Sequence, residues 1–434
     1  MSEIIRDSQW DRSNAVANIL DKVKIPRMAK IEQIFNETKI DNISEKIKNE
    51  ISKPEIIKTI KKDANIAITC GSRGIDNIAI IIKEIVNNVK SYGGKPFVIP
   101  AMGSHGGSTA EGQRKVLEGL GVTENFIGAP IISTMETKLI GYNKDNKPIY
   151  IDKNAANADG IIIIGRIKPH TSFRGSFESG LYKMMVIGLG KQKGAQVCHM
   201  EGFGKMAYNM MSFAHAIIKN LPILFGLAII ENAYDKTCII KKIPTCEIEK
   251  KEPKLLIKAK QLMPKILFPK FDILIIDQIG KNFSGDGMDP NITGTYCTPF
   301  ASGGPDIKRY VVLDLSDETK GNSVGVGMAD FTTKRLFDKT DFDQGYPNAL
   351  TSTVVKIVKM PMVLKNDKKA IQAAIFTSID IDKENPKIIR IMNSSNMKNI
   401  WISESLYLEA KKNQNIRFLE DFGEMKFNER DNLF

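Results

Sequence analysis

The chain has 434 residues, 42% of them hydrophobic and 26% charged, which is a globular composition too long for one ordinary core, so two domains are expected. No stretch approaches the roughly 18 apolar residues of a membrane span, and the opening MSEIIRDSQWDRSN has no apolar core before a cleavage site. The formal charge of +12 admits nucleic acid, a membrane surface or small anions. The lysines are interleaved with acids and form no compact basic arm or RGG tract, so the expectation is a cytoplasmic protein with no nucleic-acid or membrane partner.

Residues 1–60 read as helical and polar, with a break at Pro26 and an irregular link through Asn42 and Pro54. From Asn65 the pattern changes. ANIAITC reads as a strand, GSRGID as a loop, and NIAIIIKEIVNNVKSY as a helix ended by Gly-Gly. KPFVIPA is the next strand, followed by MGSHGG and a helix, with Ser108 and Glu111 in the spacing of a capping box. This β-α-β-α order predicts an α/β domain with a Rossmann-like parallel sheet. Further strands are expected at APIISTM, KPIYIDK, IIIIG and LFGLAIIENA, with a helix through FGKMAYNMMSFAHAIIKNL.

Residues 246–265 are charged and helical, as a hinge would be, and FDILIIDQIG opens a second α/β domain. The expected division is 1–270 and 271–405, with about 406–434 packing back on the first domain, and the active site in the cleft between the two.

Five cysteines form no CxxC and no zinc-spaced set, which indicates reduced thiols. Open parallel sheets bind ligands beyond the carboxyl ends of their strands. Ser72 and Arg73 follow one predicted strand, His105 follows the next, and His170 follows IIIIG. Arg73 could tie down its loop or present a fork to a carboxylate or phosphate. A histidine in a Gly-rich loop can be an ordinary turn residue or a catalyst. Lys183 reads by default as a core-edge lysine, and His199 beside Cys198 as either a metal ligand or, more commonly for a lone Cys-His pair, an ordinary neighbour. His215 reads as structural.

Taken together, Arg73, GSHGG with His105, IKPH with His170, YK with Lys183, and His199 stand in an order that resembles the nickel-pincer lactate racemase family, over roughly Pro26 to Phe225. The resemblance implies a racemase or epimerase that inverts C2 of a 2-hydroxy acid by hydride transfer, through a 2-keto acid. It implies nickel held by pyridinium-3-thioamide-5-thiocarboxylic acid mononucleotide, covalently attached to Lys183, with His199 as the protein's metal ligand. His105 and His170 map onto the acid/base pair, and Ser72 and Arg73 onto cofactor contacts, Arg73 also serving the substrate carboxylate. Cofactor-synthesis proteins would be transient partners, and a homo-oligomer is compatible with the family.

Two departures bear on the substrate. The segment CGSRG sets Cys70 about where the family has an aspartate. The Gln and Lys pair that completes the lactate carboxylate site is missing, and SGDGMDPN, with Ser284, Asp286, Asp289 and Asn291, stands near its place. Hydroxyl and amide groups there suit a larger, more polar substrate such as a sugar acid, or else make an ordinary surface turn. Two other readings remain open: a metal-independent two-base racemase, and a non-catalytic phosphate- or nucleotide-binding module of the same fold.

Overall fold

The computed structural model describes residues 14–52, 59–72 and 74–434. Pro54 and Arg73 lie outside the described residues. Contacts divide the chain into two units, Asn36–Met263 and the segments Met1–Phe35 with Pro264–Phe434. The region expected to be helical and polar, with a break at Pro26, contains the strand β1 (Met28–Gln33), five of whose six residues are buried.

The Asn36–Met263 unit holds β2 (Asn65–Cys70), β3 (Lys95–Pro100), β4 (Thr137–Tyr142), β5 (Pro148–Asp152), β6 (Gly160–Arg166), β7 (Ile223–Glu231) and β8 (Thr237–Pro244). Its main sheet runs β3-β2-β6-β7-β8, parallel except for the last pair, and β4 and β5 form a separate hairpin. The apolar run of β6 explains its central place. Ile161 and Ile163 enter one core and Ile162 and Ile164 the other, as a period of two requires when both faces are covered.

The helix Ile78–Ser91 covers one face and the helix Met206–Asn220 the other, each presenting apolar residues at helical spacing. Every isoleucine so buried contributes roughly 1.5–3 kcal/mol.

Two local expectations are corrected. APIISTM forms no strand; Ile131 makes a single bridge to Val98, and the next strand begins at Thr137. The cap of the helix Ala110–Gly119 is Thr109, whose side chain accepts the Gly112 N–H at 3.0 Å, while Ser108 turns left-handed at φ 55° and bonds Ser104 O. Residues 246–265, expected as a hinge or linker, contain the division between the two units, at Met263. The helix Ile248–Leu262 buries Ile248, Leu256 and Ala259 in the same core as Ile161 and Ile163.

The other unit holds β9 (Lys270–Ile279), β10 (Asp306–Leu315), β11 (Phe331–Thr333), β12 (Met362–Leu364), β13 (Ile388–Ile391), β14 (Asn399–Ser403) and β15 (Ile416–Phe418). The sheet order is β12-β11-β10-β9-β13-β14-β1-β15, parallel from β12 to β13 and antiparallel beyond. The described part of residues 1–35, expected in the first domain, and residues 406–434, expected to pack on it, both belong to this unit. The cause is backbone pairing: β1 lies between β14 and β15.

Candidate active site

β3, β2 and β6 are parallel neighbours, so the loops that follow them leave one edge of the sheet. Ser72, two residues past β2, shares a hydrogen bond through its Oγ with His105 Nδ1 in the exposed loop past β3. Arg73 lies outside the described residues. Cys70 is fully buried, and burial pushes its thiol up to about 12, so it brings no charge.

The loop past β6 is closed by a two-way backbone pair, Lys168 with Ser179 at 2.9 and 3.1 Å. It is followed by a turn, Leu181–Lys183, a π-helical turn, Met184–Gly188, and the helix Lys191–His199. A π-turn breaks regular side-chain spacing and often marks a functional position. Gly165 and Gly180 allow this segment to lie close to the sheet, since a Cβ on Gly165 would stand 3.1 Å from Gly180 C.

His170, Lys183 and His199 line one small cavity, together with Phe173, Glu178, Ile187, Met206 and Met210. The loop of His105 reaches its wall, because Gly103 N–H donates to Gly188 O at 3.2 Å and a Cβ on Gly103 would stand 3.3 Å from Ile187 O. A Cβ on Gly71 would stand 3.4 Å from Met184 Cε, so the β2 loop meets the same π-turn.

The hydrogen bonds fix the imidazoles in different tautomers. His199 Nδ1 lies 2.6 Å from Ala195 O. A carbonyl only accepts, so Nδ1 carries the proton and Nε2 the lone pair. At His170 the Ser172 N–H donates to Nδ1 at 3.1 Å, which puts the neutral ring's proton on Nε2. Burial holds His170 well below the ordinary 6.5, and the charge of Lys183, then His199, Lys168 and Arg174, acts the same way. His199 is lowered chiefly by burial, partly offset by the bond to Ala195.

Sequence reasoning missed Glu178, which a Ser- and Gly-rich setting disguises as a turn residue. Its side chain is wholly buried in the cavity wall. It accepts the His170 N–H at 2.8 Å and Lys260 Nζ at 2.6 Å, with Arg174 Nη1 at 3.4 Å. Glu178→Ala should cost about 3 kcal/mol in urea unfolding, because Lys260, 38% exposed, can rehydrate while the His170 amide loses its acceptor. Glu178→Gln keeps that acceptor and should cost clearly less. Equal losses in the two variants would show that the amide bond is unimportant.

No group of three or more His, Cys, Asp or Glu suited to a metal occurs among the described residues. Cys198 is a buried thiol pushed up to about 12, beside Met206 Sδ at 3.8 Å.

Residues 12–210 match the model of the lactate racemase N-terminal domain. The match takes in Ser72, Arg73, His105, His170, Lys183 and His199, and ends within the helix Met206–Asn220. No curated protein matches the chain. The structure of the lactate racemase apoprotein from Thermoanaerobacterium thermosaccharolyticum aligns with 85% of this chain and 89% of that chain, at 14% identity and a TM-score of 0.45.

Ser284, Asp286, Asp289 and Asn291 lie beyond the matched racemase domain, in the other unit. Asp289 Oδ1 accepts from Asn291 N and Nδ2 at 2.9 and 2.8 Å and so caps the turn Pro290–Thr293. Ser284 is 8% exposed and its Oγ receives the Asp286 N–H at 3.4 Å. These contacts are turn chemistry.

Proposed function

We propose that this chain is a racemase or epimerase of 2-hydroxy acids that works with a nickel-pincer nucleotide attached to Lys183. The observation that carries the reading is the cavity shared by His170, Lys183 and His199. The donor set suits the group. His199 Nε2 keeps a lone pair for nickel, fixed by the bond from Nδ1–H to Ala195 O. Lys183 sits on the same wall, with Nζ 3.5 Å from Ser179 Oγ, and would carry the thioamide link. The charges of Lys183, Lys168 and Arg174 that bear on His170 favour an anionic cofactor and a carboxylate substrate.

When bound, the pincer nucleotide supplies the site that accepts and returns hydride at C2. The chain's own residues manage the proton. His170 is neutral at pH 7 and takes the hydroxyl proton of one hand of substrate once Ser172 N–H releases its ring. His105, hydrogen-bonded to Ser72, serves the other hand. Ser72 and Arg73 hold the anionic ends. A sugar acid, larger than lactate, is the substrate proposed, on the hydroxyl- and amide-bearing side chains of the segment SGDGMDPN, with Ser284, Asp286, Asp289 and Asn291.

The test is intact mass and metal analysis of protein made in a host with the cofactor pathway. Nickel near one equivalent and a mass increment on the Lys183 peptide are expected, and both should vanish in Lys183→Arg. Racemisation by nickel-free protein with unmodified Lys183 would instead establish the two-base reading.

A further inference from the structure

We propose that Lys191 is a positioning residue that locks the loop of His105 to the helix carrying His199. The proposal rests on the acid/base and metal-ligand roles given to those two histidines. Lys191 opens the helix Lys191–His199, is wholly buried, and has a left-handed backbone at φ 54°, which a side chain with a Cβ disfavours. Its Nζ meets Pro100 O at 2.5 Å, Gln113 Oε1 at 3.0 Å and Asp152 Oδ2 at 3.1 Å. An ammonium has three donors and no acceptor; it donates to Pro100 and Gln113 and forms an ion pair with Asp152, so three different segments converge on it.

Each acceptor is itself fixed. Pro100 ends β3, immediately before the His105 loop. Gln113 turns its oxygen to Lys191 and its Nε2 to the loop, donating to Gly103 O at 2.8 Å and His105 O at 3.2 Å. Asp152, also wholly buried, accepts the Asn154 and Ala155 N–H groups at 2.8 and 3.1 Å through Oδ1, and donates its own N–H to Leu189 O at 2.8 Å. One buried ammonium therefore connects the backbone of His105, through Gln113, with the start of the helix that ends at His199.

A core of this volume could be filled by apolar side chains with no loss of stability. What such a filling cannot do is hold the Pro100 carbonyl and orient the Gln113 amide, which sets where the Gly103 and His105 carbonyls stand. An error of about 1 Å in placing a catalytic group can cost about 10²-fold in rate.

Two variants test this. Gln113→Leu removes only the link to the loop, and Lys191→Met with Asp152→Asn removes both charges together. The chain has four histidines, so ring ¹H–¹³C signals of the cofactor-free protein, assigned by His→Gln variants, can be followed singly. In both variants the His105 signal should shift or broaden, while that of His215, exposed and paired with Glu249, stays in place. In loaded enzyme Gln113→Leu should lower kcat by about 10²-fold with little change in KM.

A His105 signal superposable on that of the parent in either folded variant would overturn the proposal. So would failure of both variants to fold, which would make Lys191 a residue of the fold alone. A shifted His105 signal in a protein whose parent shows no racemase activity would uphold the positioning role and sink the proposed reaction instead.

Discussion

Replacing His170 with glutamine should lower turnover by roughly 10²–10⁴-fold, the usual range for a proton-transfer residue, and leave the modification of Lys183 in place. The separation of effects follows from the site. His170 and Lys183 line the same cavity but stand on different segments, and the His170 backbone N–H, bonded to Glu178, is unaffected by the change of side chain. A pH signature accompanies it. The base must be neutral, and burial and nearby positive charge hold its pKa well below 6.5. The acidic limb of kcat/KM should therefore lie below 6.5, with activity rising through that limb as the ring loses its proton. An acidic limb above 6.5, or turnover in the variant within tenfold of the parent, would remove His170 from the proton-transfer role.

Glu252→Gln should make the protein more stable at alkaline pH, by an amount that vanishes in acid. Glu252 is 1% exposed, and burial pushes its carboxyl from 4.5 up to about 8. It accepts the Tyr182 N–H at 3.3 Å at the start of the turn that bears Lys183, and Gly180 admits it there, since a Cβ on that glycine would stand 2.1 Å from Glu252 Oε1. With a folded pKa above the unfolded one, the folded state keeps its proton where the unfolded chain has lost it. This contribution is complete below about 4.5 and is lost as pH rises through about 8. At 1.36 kcal/mol per unit the full effect is on the order of a few kcal/mol. Glutamine keeps an acceptor for Tyr182 N–H and cannot ionise. Urea unfolding from pH 5 to 9 should show the two proteins converging in acid and the variant ahead in base. A difference independent of pH would mean that Glu252 does not titrate in this window.

The parts of the fold that were readable were those with local signals. ANIAITC and the isoleucines of β6 declare strands, and Ile78–Ser91 declares a helix by its spacing. β1 was not readable. MAKIEQ has no strong local preference and becomes a strand only because Asn399–Ser403 and Ile416–Phe418 pair with it. In the site, His170, Lys183 and His199 were visible as rare or conspicuous residues in a Gly-rich segment. Glu178, Lys191 and Glu252 were not, because an acid or lysine among other polar residues reads as solvated until its neighbours enclose it. The loop at 284–291 is legible in two ways. Its polar residues suggested a ligand, and the same chemistry of Asp289 and Asn291 closes a helix cap.

The strand order carries a consequence for biosynthesis. Translation delivers β1 first, then the whole of Asn36–Met263, and only afterwards β14 and β15. Every segment that lines the histidine cavity has thus left the ribosome while β1 still awaits both of its neighbours. A nascent chain at that stage presents an unpaired strand edge to whatever surrounds it, until Asn399–Ser403 and Ile416–Phe418 pair with it.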